Sequence, residues 1–149
     1  MLSVASKDGP DGRIQLHAST VVIDGEALAF VGPSGVGKSG HALELMSRGA
    51  RLLADDITWF EAAETAVIAS CPPTLSGRIE ARGIGILNAP PALPAPLVLI
   101  VDLGTPEVER IPLRRTTKIL GRSIPVLHNP DTPHFIAAIL QYISQGRAD

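Results

Sequence analysis

The first strong hydrophobic pattern in the chain is a pair of β-favouring runs separated by Asp24 and Gly25. Residues 14–23 are rich in Val, Ile and Thr, and residues 27–31 are apolar throughout. Two such runs around an Asp-Gly pair predict a β-hairpin. Residues 1–12 bring glycine, proline and charged residues together, and we expect them to form a disordered tail, with residues 13–149 as a single domain.

Residues 40–48 then predict a helix with an apolar stripe, and Gly49 is suited to its C-terminal cap. A last amphipathic helix is expected after Thr132, the N-cap, with Pro133 at its first position. Because strands outnumber helices, the pattern predicts an α/β fold with a mixed, partly antiparallel sheet. The further predicted strands cover residues 51–54, 59–70 as a hairpin, 97–103, 107–112 at an edge, and 124–127.

Composition narrows the class of protein. The chain has 149 residues, of which 45% are hydrophobic and 19% charged, as in a single folded domain. A net charge of -2 and an aromatic content of 3% argue against a nucleic-acid partner. No apolar run reaches the ~18 residues of a membrane span, and residues 1–13 are too polar for a signal peptide. With Cys71 as its one cysteine, the chain is expected to be cytoplasmic, without a membrane partner.

The second strand of the predicted hairpin runs directly into a glycine-rich segment with the G-x-x-x-x-G-K-S pattern of a phosphate-binding loop. Glycines let the backbone turn its N–H groups around an anion, and the start of the next helix adds a partial positive charge. Lys38 can reach the β- and γ-phosphates of a nucleotide, and the Ser39 hydroxyl suits Mg²⁺. The segment therefore predicts nucleotide binding. Its residues are Gly32, Pro33, Ser34, Gly35, Val36, Gly37, Lys38 and Ser39.

Asp55 and Asp56 follow the apolar strand at residues 51–54, one helix and one strand after the loop. A carboxylate in such a place is typical of a ligand for a metal or its water. Two adjacent carboxylates near a metal-bound phosphate can divide the chemistry. One takes the proton of an attacking hydroxyl, and the other holds the metal or orients the first.

These segments together resemble the catalytic domain of the HPr kinase/phosphorylase family. The resemblance rests on Gly-Pro-Ser-Gly-Val-Gly-Lys-Ser at 32–39, Leu-Ala-Asp-Asp at 53–56 and Ile-Glu-Ala-Arg-Gly-Ile-Gly-Ile at 79–86. It implies a P-loop kinase-like core, similar to that of phosphoenolpyruvate carboxykinase. It also implies that ATP and Mg²⁺ are used to phosphorylate a serine of HPr, a small phosphocarrier protein of the phosphotransferase system. Many members run the reverse reaction as well, in which inorganic phosphate attacks phosphoserine.

The resemblance further implies roles for individual residues. Asp55 is expected to act as the acid/base on the serine hydroxyl or on phosphate, with Asp56 supporting it near the metal. Ser39 and Glu80 are expected to border the Mg²⁺ site. His17, on the strand before the loop, is expected near the active site.

Glu80 and Arg82 are two positions apart, so on an extended segment their side chains face the same side. A carboxylate beside a guanidinium suits the edge of a site that holds a metal and phosphate. Arg82 is therefore a candidate contact to phosphate or substrate.

The last third of the sequence departs from the family. Residues 127–132 read Leu-His-Asn-Pro-Asp-Thr, where the family usually has Arg-Pro-Gly-Arg-Asn with a phosphate-binding arginine. We therefore expect forward kinase activity and a weaker or absent reverse reaction. The family's N-terminal domain has no counterpart here, so the chain resembles the short, catalytic-domain-only form found in alphaproteobacteria. The family also implies a homo-oligomer, specifically a hexamer.

Two other functions fit parts of the sequence. A small-molecule P-loop kinase usually needs an arginine-bearing lid over the phosphates, and the arginine-rich segment 110–122 lies late in the chain without Gly-rich hinges. A non-catalytic, ATP-binding regulator would bind ATP while Asp55 was dispensable. One further feature, the basic cluster, suits an acidic partner, nucleotide phosphates or a solvated face. The basic cluster comprises Arg110, Arg114, Arg115 and Lys118.

Overall fold

The computed structural model describes residues 2–149. Its helices are α1 (Lys38–Met46) and α2 (Phe135–Gln145), and short 3-10 turns cover Pro10–Gly12 and Pro73–Leu75. The strands are β1 (Lys7–Asp8), β2 (Ile14–Ile23), β3 (Glu26–Val31), β4 (Arg51–Ala54), β5 (Ile57–Ala62), β6 (Val67–Ser70), β7 (Arg78–Ala81), β8 (Gly85–Asn88), β9 (Ala95–Pro106), β10 (Arg115–Ile119) and β11 (Arg122–Asn129). The predicted hairpins at residues 14–31 and 59–70 are confirmed by the β2–β3 and β5–β6 pairs.

Two long strands organise the sheet because each divides its pairing between neighbours. Residues 14–17 of β2 pair antiparallel with β5, and the rest of β2 pairs antiparallel with β3 and β4. Strand β9 starts antiparallel to β6 and then runs parallel to β3 and β11. The predicted α/β fold with a mixed sheet is thereby confirmed. Within residues 2–149 this sheet has nine strands, and β7–β8 form a separate hairpin.

Three parallel strands end at the same edge of the sheet. Val31 of β3, Asp102 of β9 and His128 of β11 lie in register. The glycine-rich loop after β3 therefore leaves the sheet beside the segments that follow β9 and β11. In sheets of this kind, ligands bind outside the carboxyl ends of the strands.

Apolar side chains cover both faces of the sheet. Phe30 and Leu99 pack with α1 and α2 on one face, whereas Val31 and Ile100 belong to the core on the other face. This alternation follows from the period of two along a strand. Both faces of β3 are buried, so the loop that follows it leaves from a rigid base.

The segment predicted as a disordered tail contains a strand in the structure. Strand β1 pairs with the start of β2, with Lys7 opposite Gln15. The Ser3 backbone N–H donates a 2.7 Å hydrogen bond to the carboxylate of Asp102, which is fully buried. Local composition indicates flexibility but carries no information about a free strand edge or a distant carboxylate that can hold the segment.

The predicted edge strand at residues 107–112 is wrong. No strand covers these residues, and the chain resumes pairing only at Arg115. The segment ends in Pro112, and proline lacks the N–H that a strand ladder requires. The strand at this edge of the sheet is β10, which pairs with β11 and contains Arg115 and Lys118 of the basic cluster.

The helix ends also differ from the pattern. Helix α1 begins at Lys38, before the predicted start, because the glycine-rich loop passes directly into the first turn. Helix α2 begins at Phe135, with His134 as its N-cap. Thr132 Oγ1 accepts a 3.3 Å hydrogen bond from the His134 N–H and so shapes the preceding turn. None of the helices in residues 2–149 is both long enough and apolar enough to cross a membrane.

Candidate active site

The glycine-rich loop links β3 to α1 and owes its shape to two glycines. Gly32 has φ +146°, and a Cβ at this position would lie 2.8 Å from Val36 Cγ1 and 3.1 Å from the Gly104 nitrogen. Gly37, the N-cap of α1, has φ 108° in the left-handed region. Residues with side chains rarely adopt either conformation, so this backbone requires glycine at both positions.

Lys38 lies at the centre of this loop. Its ammonium donates hydrogen bonds to the carbonyl oxygens of Gly32 (2.8 Å) and Pro33 (3.2 Å), and the residue is only 7% exposed. A buried ammonium is costly unless it is paired or hydrogen-bonded. These carbonyl groups hold the charge inside the loop, where it faces the space that an anion would occupy.

The Asp55 carboxylate accepts hydrogen bonds from three parts of the chain. Its Oδ1 atom accepts from the hydroxyls of Ser39 and Ser19, each at 2.7 Å, and its Oδ2 atom accepts from the backbone N–H of Glu80 at 3.0 Å. Asp55 therefore joins the glycine-rich loop, strand β2 and strand β7. The predicted proximity of the loop and the acidic pair is thus observed.

The Asp56 side chain makes a different contact from that of Asp55. Its backbone is in the left-handed region (φ 68°), and its Oδ1 atom lies 3.6 Å from His17 Nδ1. Both side chains are more than half exposed, at 66% and 55%. The two carboxylates of the pair thus have different surroundings: Asp55 contacts the loop, and Asp56 forms an open pair with the imidazole.

One cleft, the phosphate cleft, collects most of the residues proposed from the sequence. It has a volume of ≈ 870 Å³, and Lys38, Ser39, Asp55, Asp56 and other residues line it. Glu80, on β7, and Arg82, in the turn after it, line the same cleft, although the extended segment assumed from their spacing ends at Ala81. Of the loop residues, Ser34, Gly35 and Gly37 also face it. By contrast, Gly32 and Pro33 act through Lys38, and Val36 lines a neighbouring cleft.

The donor set of the phosphate cleft fits a magnesium nucleotide. The Ser39 hydroxyl contacts the Asp55 carboxylate, and the Glu80 backbone contacts the same carboxylate. Mg²⁺ prefers oxygen ligands and commonly takes only one or two from the protein, with water and phosphate supplying the rest. The described residues contain no group of three or more His, Cys, Asp or Glu side chains that could hold a metal by themselves.

Sequence reasoning missed two residues of this site. Ser19 is fully buried and donates to Asp55, and Arg78 lines the cleft together with Arg82. Ser19 is two residues after His17 on β2, so their side chains share a face of the strand. Its position two residues after His17, a candidate residue on the same strand, was the available signal.

The basic cluster lies outside the phosphate cleft, since none of its four residues lines it. Arg115 pairs with Glu107, and the guanidinium of Arg114 donates to the backbone oxygen of Asp149. The ion pair with Arg115 holds the pKa of the Glu107 carboxyl below its usual value. Arg114 and Arg115 therefore form contacts within this chain that stabilise its local structure.

Comparisons with known proteins agree with this geometry. The HPr kinase/phosphorylase of Clostridium tetani is 43% identical over 84 residues, covering 56% of this chain and 27% of that protein. The protein of the same name from Aromatoleum aromaticum is 39% identical over 129 residues, covering 77% of this chain and 41% of that protein. The chain therefore spans less than half the length of these curated relatives.

A solved structure extends the likeness beyond the motifs. The Hpr(Ser) kinase/phosphatase from Coxiella burnetii superposes with a TM-score of 0.75 at 27% identity, over 87% of this chain and 88% of that chain. The sequence model of the HPr Serine kinase C-terminal domain matches residues 11–93, which is more than half of the chain and includes the whole phosphate cleft. The chain therefore belongs to the HPr serine kinase C-terminal domain family.

Proposed function

We propose that this protein is an ATP- and Mg²⁺-dependent protein-serine kinase that phosphorylates the phosphocarrier protein HPr. The observation that carries the proposal is the Asp55 carboxylate, which accepts a hydrogen bond from Ser39 of the glycine-rich loop at the floor of the phosphate cleft. The relatives from Clostridium tetani and Aromatoleum aromaticum, both named HPr kinase/phosphorylase, support the choice of HPr. The expected location is the cytoplasm.

The core is proposed to be of the P-loop kinase type, similar to phosphoenolpyruvate carboxykinase. The support is the order strand, glycine-rich loop and helix, with β3 parallel to β9 at its carboxyl end. In such a core the backbone N–H groups of the loop and the start of α1 hold the β- and γ-phosphates. Lys38 then turns its ammonium from the carbonyls of Gly32 and Pro33 toward those phosphates.

Ser39 and Glu80 are proposed to border the Mg²⁺, which neutralises charge on the transferred phosphoryl group. The Ser39 hydroxyl now bonded to Asp55 Oδ1 is the group that would turn to the metal. That turn frees one lone pair of Oδ1, whose other lone pair accepts from Ser19. The freed lone pair can take the proton of the HPr serine hydroxyl as the serine oxygen bonds to phosphorus and the bond to the ADP oxygen breaks. Asp56, which lines the cleft, is proposed to support this step together with His17, which lies 3.6 Å from it outside the cleft lining.

Arg78 and Arg82 lie on β7 and in the turn after it, and both line the cleft. A guanidinium can hold a phosphate or a carboxylate through two parallel hydrogen bonds. We assign Arg82 to the phosphate or the substrate, as the sequence suggests. The homo-oligomer, a hexamer, also remains a proposal. Its support is the large exposed apolar side chains Val108, Ile111 and Leu113 between β9 and β10.

The experiment that separates this function from a small-molecule kinase measures ADP release in two mixtures. The first contains Mg²⁺–ATP and HPr from the same organism, and the second contains Mg²⁺–ATP and a metabolite panel without HPr. ADP release that depends on HPr supports the proposal. ADP release in the second mixture alone contradicts it and identifies a small-molecule kinase, whereas ATP binding without release in either indicates a regulator.

A further inference from the structure

A second cleft lies on the opposite side of the glycine-rich loop from the phosphate cleft. It has a volume of ≈ 570 Å³ and lies between the first turns of α1 and the segment that links β11 to α2. Gly37 and Gly40 line both this cleft and the phosphate cleft. A ligand whose phosphates fill the loop can therefore extend past these two glycines into the second space.

The topology of the sheet creates this cleft. Val31 and His128 are both in register with Asp102 of β9, so the glycine-rich loop and the end of β11 lie at the same edge of the sheet. The Asn129 side chain fixes the far wall. Its Nδ2 atom donates to the Leu103 carbonyl at 3.2 Å, and its Oδ1 atom accepts from the Asp131 N–H at 2.9 Å.

The chemistry of the lining differs sharply from that of the phosphate cleft. Glu44 and Asp131 supply carboxylates, Val36 and Phe135 supply apolar surface, and no Lys or Arg is among the lining residues. The phosphate cleft also has three carboxylates, but there Lys38 and two arginines balance their charge. Acceptors beside an apolar wall suit a neutral group that carries hydrogen-bond donors and a flat ring, and they repel a phosphate.

His41 adds a positioned acceptor. Its Nδ1 atom lies 2.7 Å from the Gly37 carbonyl oxygen, so we assign the proton to Nδ1, which leaves Nε2 as an acceptor. The ring centroid lies 5.4 Å from that of Phe30 and 6.3 Å from that of Phe135. These contacts hold the imidazole in place at the border of the cleft.

We propose that this second cleft binds the nucleoside of the nucleotide whose phosphates occupy the glycine-rich loop. The inference rests on the nucleotide binding in the proposed function and names where the base and sugar lie. The carboxylates of Glu44 and Asp131 accept hydrogen bonds from the ribose hydroxyls or from an exocyclic amine of the base. The apolar surface of Val36 and Phe135 supports the base. We call this space the nucleoside cleft.

Calorimetric titration with ATP and with inorganic tripolyphosphate, both with Mg²⁺, tests the assignment. Tripolyphosphate carries the phosphates without the nucleoside. In the double variant Glu44→Gln, Asp131→Asn we expect affinity for ATP to fall about tenfold. Affinity for tripolyphosphate should stay within about twofold or increase, because two negative charges are removed near an anion.

The chain offers a matched control in Asp24→Asn, Glu26→Gln. These residues lie at the β2–β3 turn, at the opposite end of β3 from the loop. The control removes the same charge, and Asp24, like Asp131, has a positive φ (49° and 52°). Both affinities should stay at their wild-type values in the control.

A second variant, Thr132→Trp, fills the nucleoside cleft with a ring and should reduce ATP affinity to that of tripolyphosphate. The inference is overturned if the first double variant and Thr132→Trp both bind ATP as the wild type does, or if wild type binds ATP no more tightly than tripolyphosphate. No HPr is present in these titrations. A lack of HPr phosphorylation would therefore overturn the proposed function but not the assignment of the nucleoside cleft. Failure of the titrations would overturn that assignment but not the proposed function.

Discussion

The hydroxyl of Ser39 donates a 2.7 Å hydrogen bond to Oδ1 of Asp55, and this contact joins the two motifs on which the proposed chemistry depends. Ser39 is in the first turn of α1, and Asp55 directly follows β4. Both strands that flank the site, β3 and β4, pair with β2. The shared strand explains why an acidic pair so soon after the loop in sequence lies against it in space.

Substitution of Ser39 should separate metal-dependent from metal-independent nucleotide binding. In Ser39→Ala we expect affinity for Mg²⁺–ATP to fall at least about tenfold, since a ligand of the metal is lost. Affinity for ATP in the presence of a chelator should change by less than about twofold. The control is Ser47→Ala at the other end of α1, whose hydroxyl donates to the Glu44 carbonyl. An equal loss with and without Mg²⁺ would contradict the assignment.

A pair of glycine variants tests whether close packing fixes the shape of the loop. Gly32→Ala places a Cβ 2.8 Å from Val36 at φ +146°, whereas Gly121→Ala, at φ +82°, meets nothing within 4 Å. The first change should lower the free energy of unfolding by about 3 kcal/mol and abolish ATP binding. The second should cost about 1 kcal/mol and leave binding intact. Urea unfolding and titration with ATP measure both, and equal costs would show that the packing at Gly32 is unimportant.

The residues that the sequence predicts correctly are those with strong local signals. Alternation and the Asp-Gly turn predict the β2–β3 hairpin, and the glycine spacing predicts the loop before α1. The acidic pair Asp55 and Asp56 could also be recognised in the sequence, because it directly follows an apolar strand. Each of these features depends on a few neighbouring residues, and the family resemblance then supplied candidate roles that the geometry alone does not give.

The features that the sequence did not predict depend on contacts between distant segments. Ser19 becomes important only when β4 pairs beside β2 and brings Asp55 against it. The segment at residues 107–112 contains Val108 and Ile111 but finds no partner strand. The contact of Ser3 with Asp102 joins opposite parts of the chain, and no local pattern marks it.

The buried Asp102 carboxylate should be a main determinant of stability. It accepts hydrogen bonds from the backbone N–H groups of Ser3 and Gly104 and from the hydroxyls of Ser3 and Thr105. Asp102→Ala leaves these donors without an acceptor, and we expect a loss of about 3 kcal/mol or more in the free energy of unfolding. Asp8→Ala, on the exposed strand β1, should change it by less than about 0.5 kcal/mol. Urea titration compares them, and similar values would refute the role of Asp102.

The thiol of Cys71 should react slowly at neutral pH. Burial raises the pKa of this thiol above its usual value, and only the thiolate is alkylated. At any pH below that pKa the thiolate fraction is smaller than for an ordinary cysteine. The rate with iodoacetamide should therefore rise toward its plateau at a higher pH than the rate for free cysteine. Since this is the sole cysteine, mass spectrometry reads the rate directly, and coincident pH profiles would contradict the prediction.

The reverse reaction provides a test of the region after β11. Residues 127–132 lack the arginine that the family usually carries there. With phosphoserine-HPr and inorganic phosphate, we expect pyrophosphate to form more slowly than phosphoserine forms in the forward assay, or not at all. A robust yield of pyrophosphate, measured by a coupled enzymatic assay, would show that this arginine is dispensable.

The most direct test of the proposed kinase function is the mass of HPr after incubation with Mg²⁺–ATP and this protein. We predict that wild type adds one phosphoryl group, that fragmentation locates it on a serine, and that Asp55→Asn reduces the rate by at least about 100-fold. The control variant Asp24→Asn should behave as wild type. Unmodified HPr with wild type, or full activity in Asp55→Asn, would contradict the account.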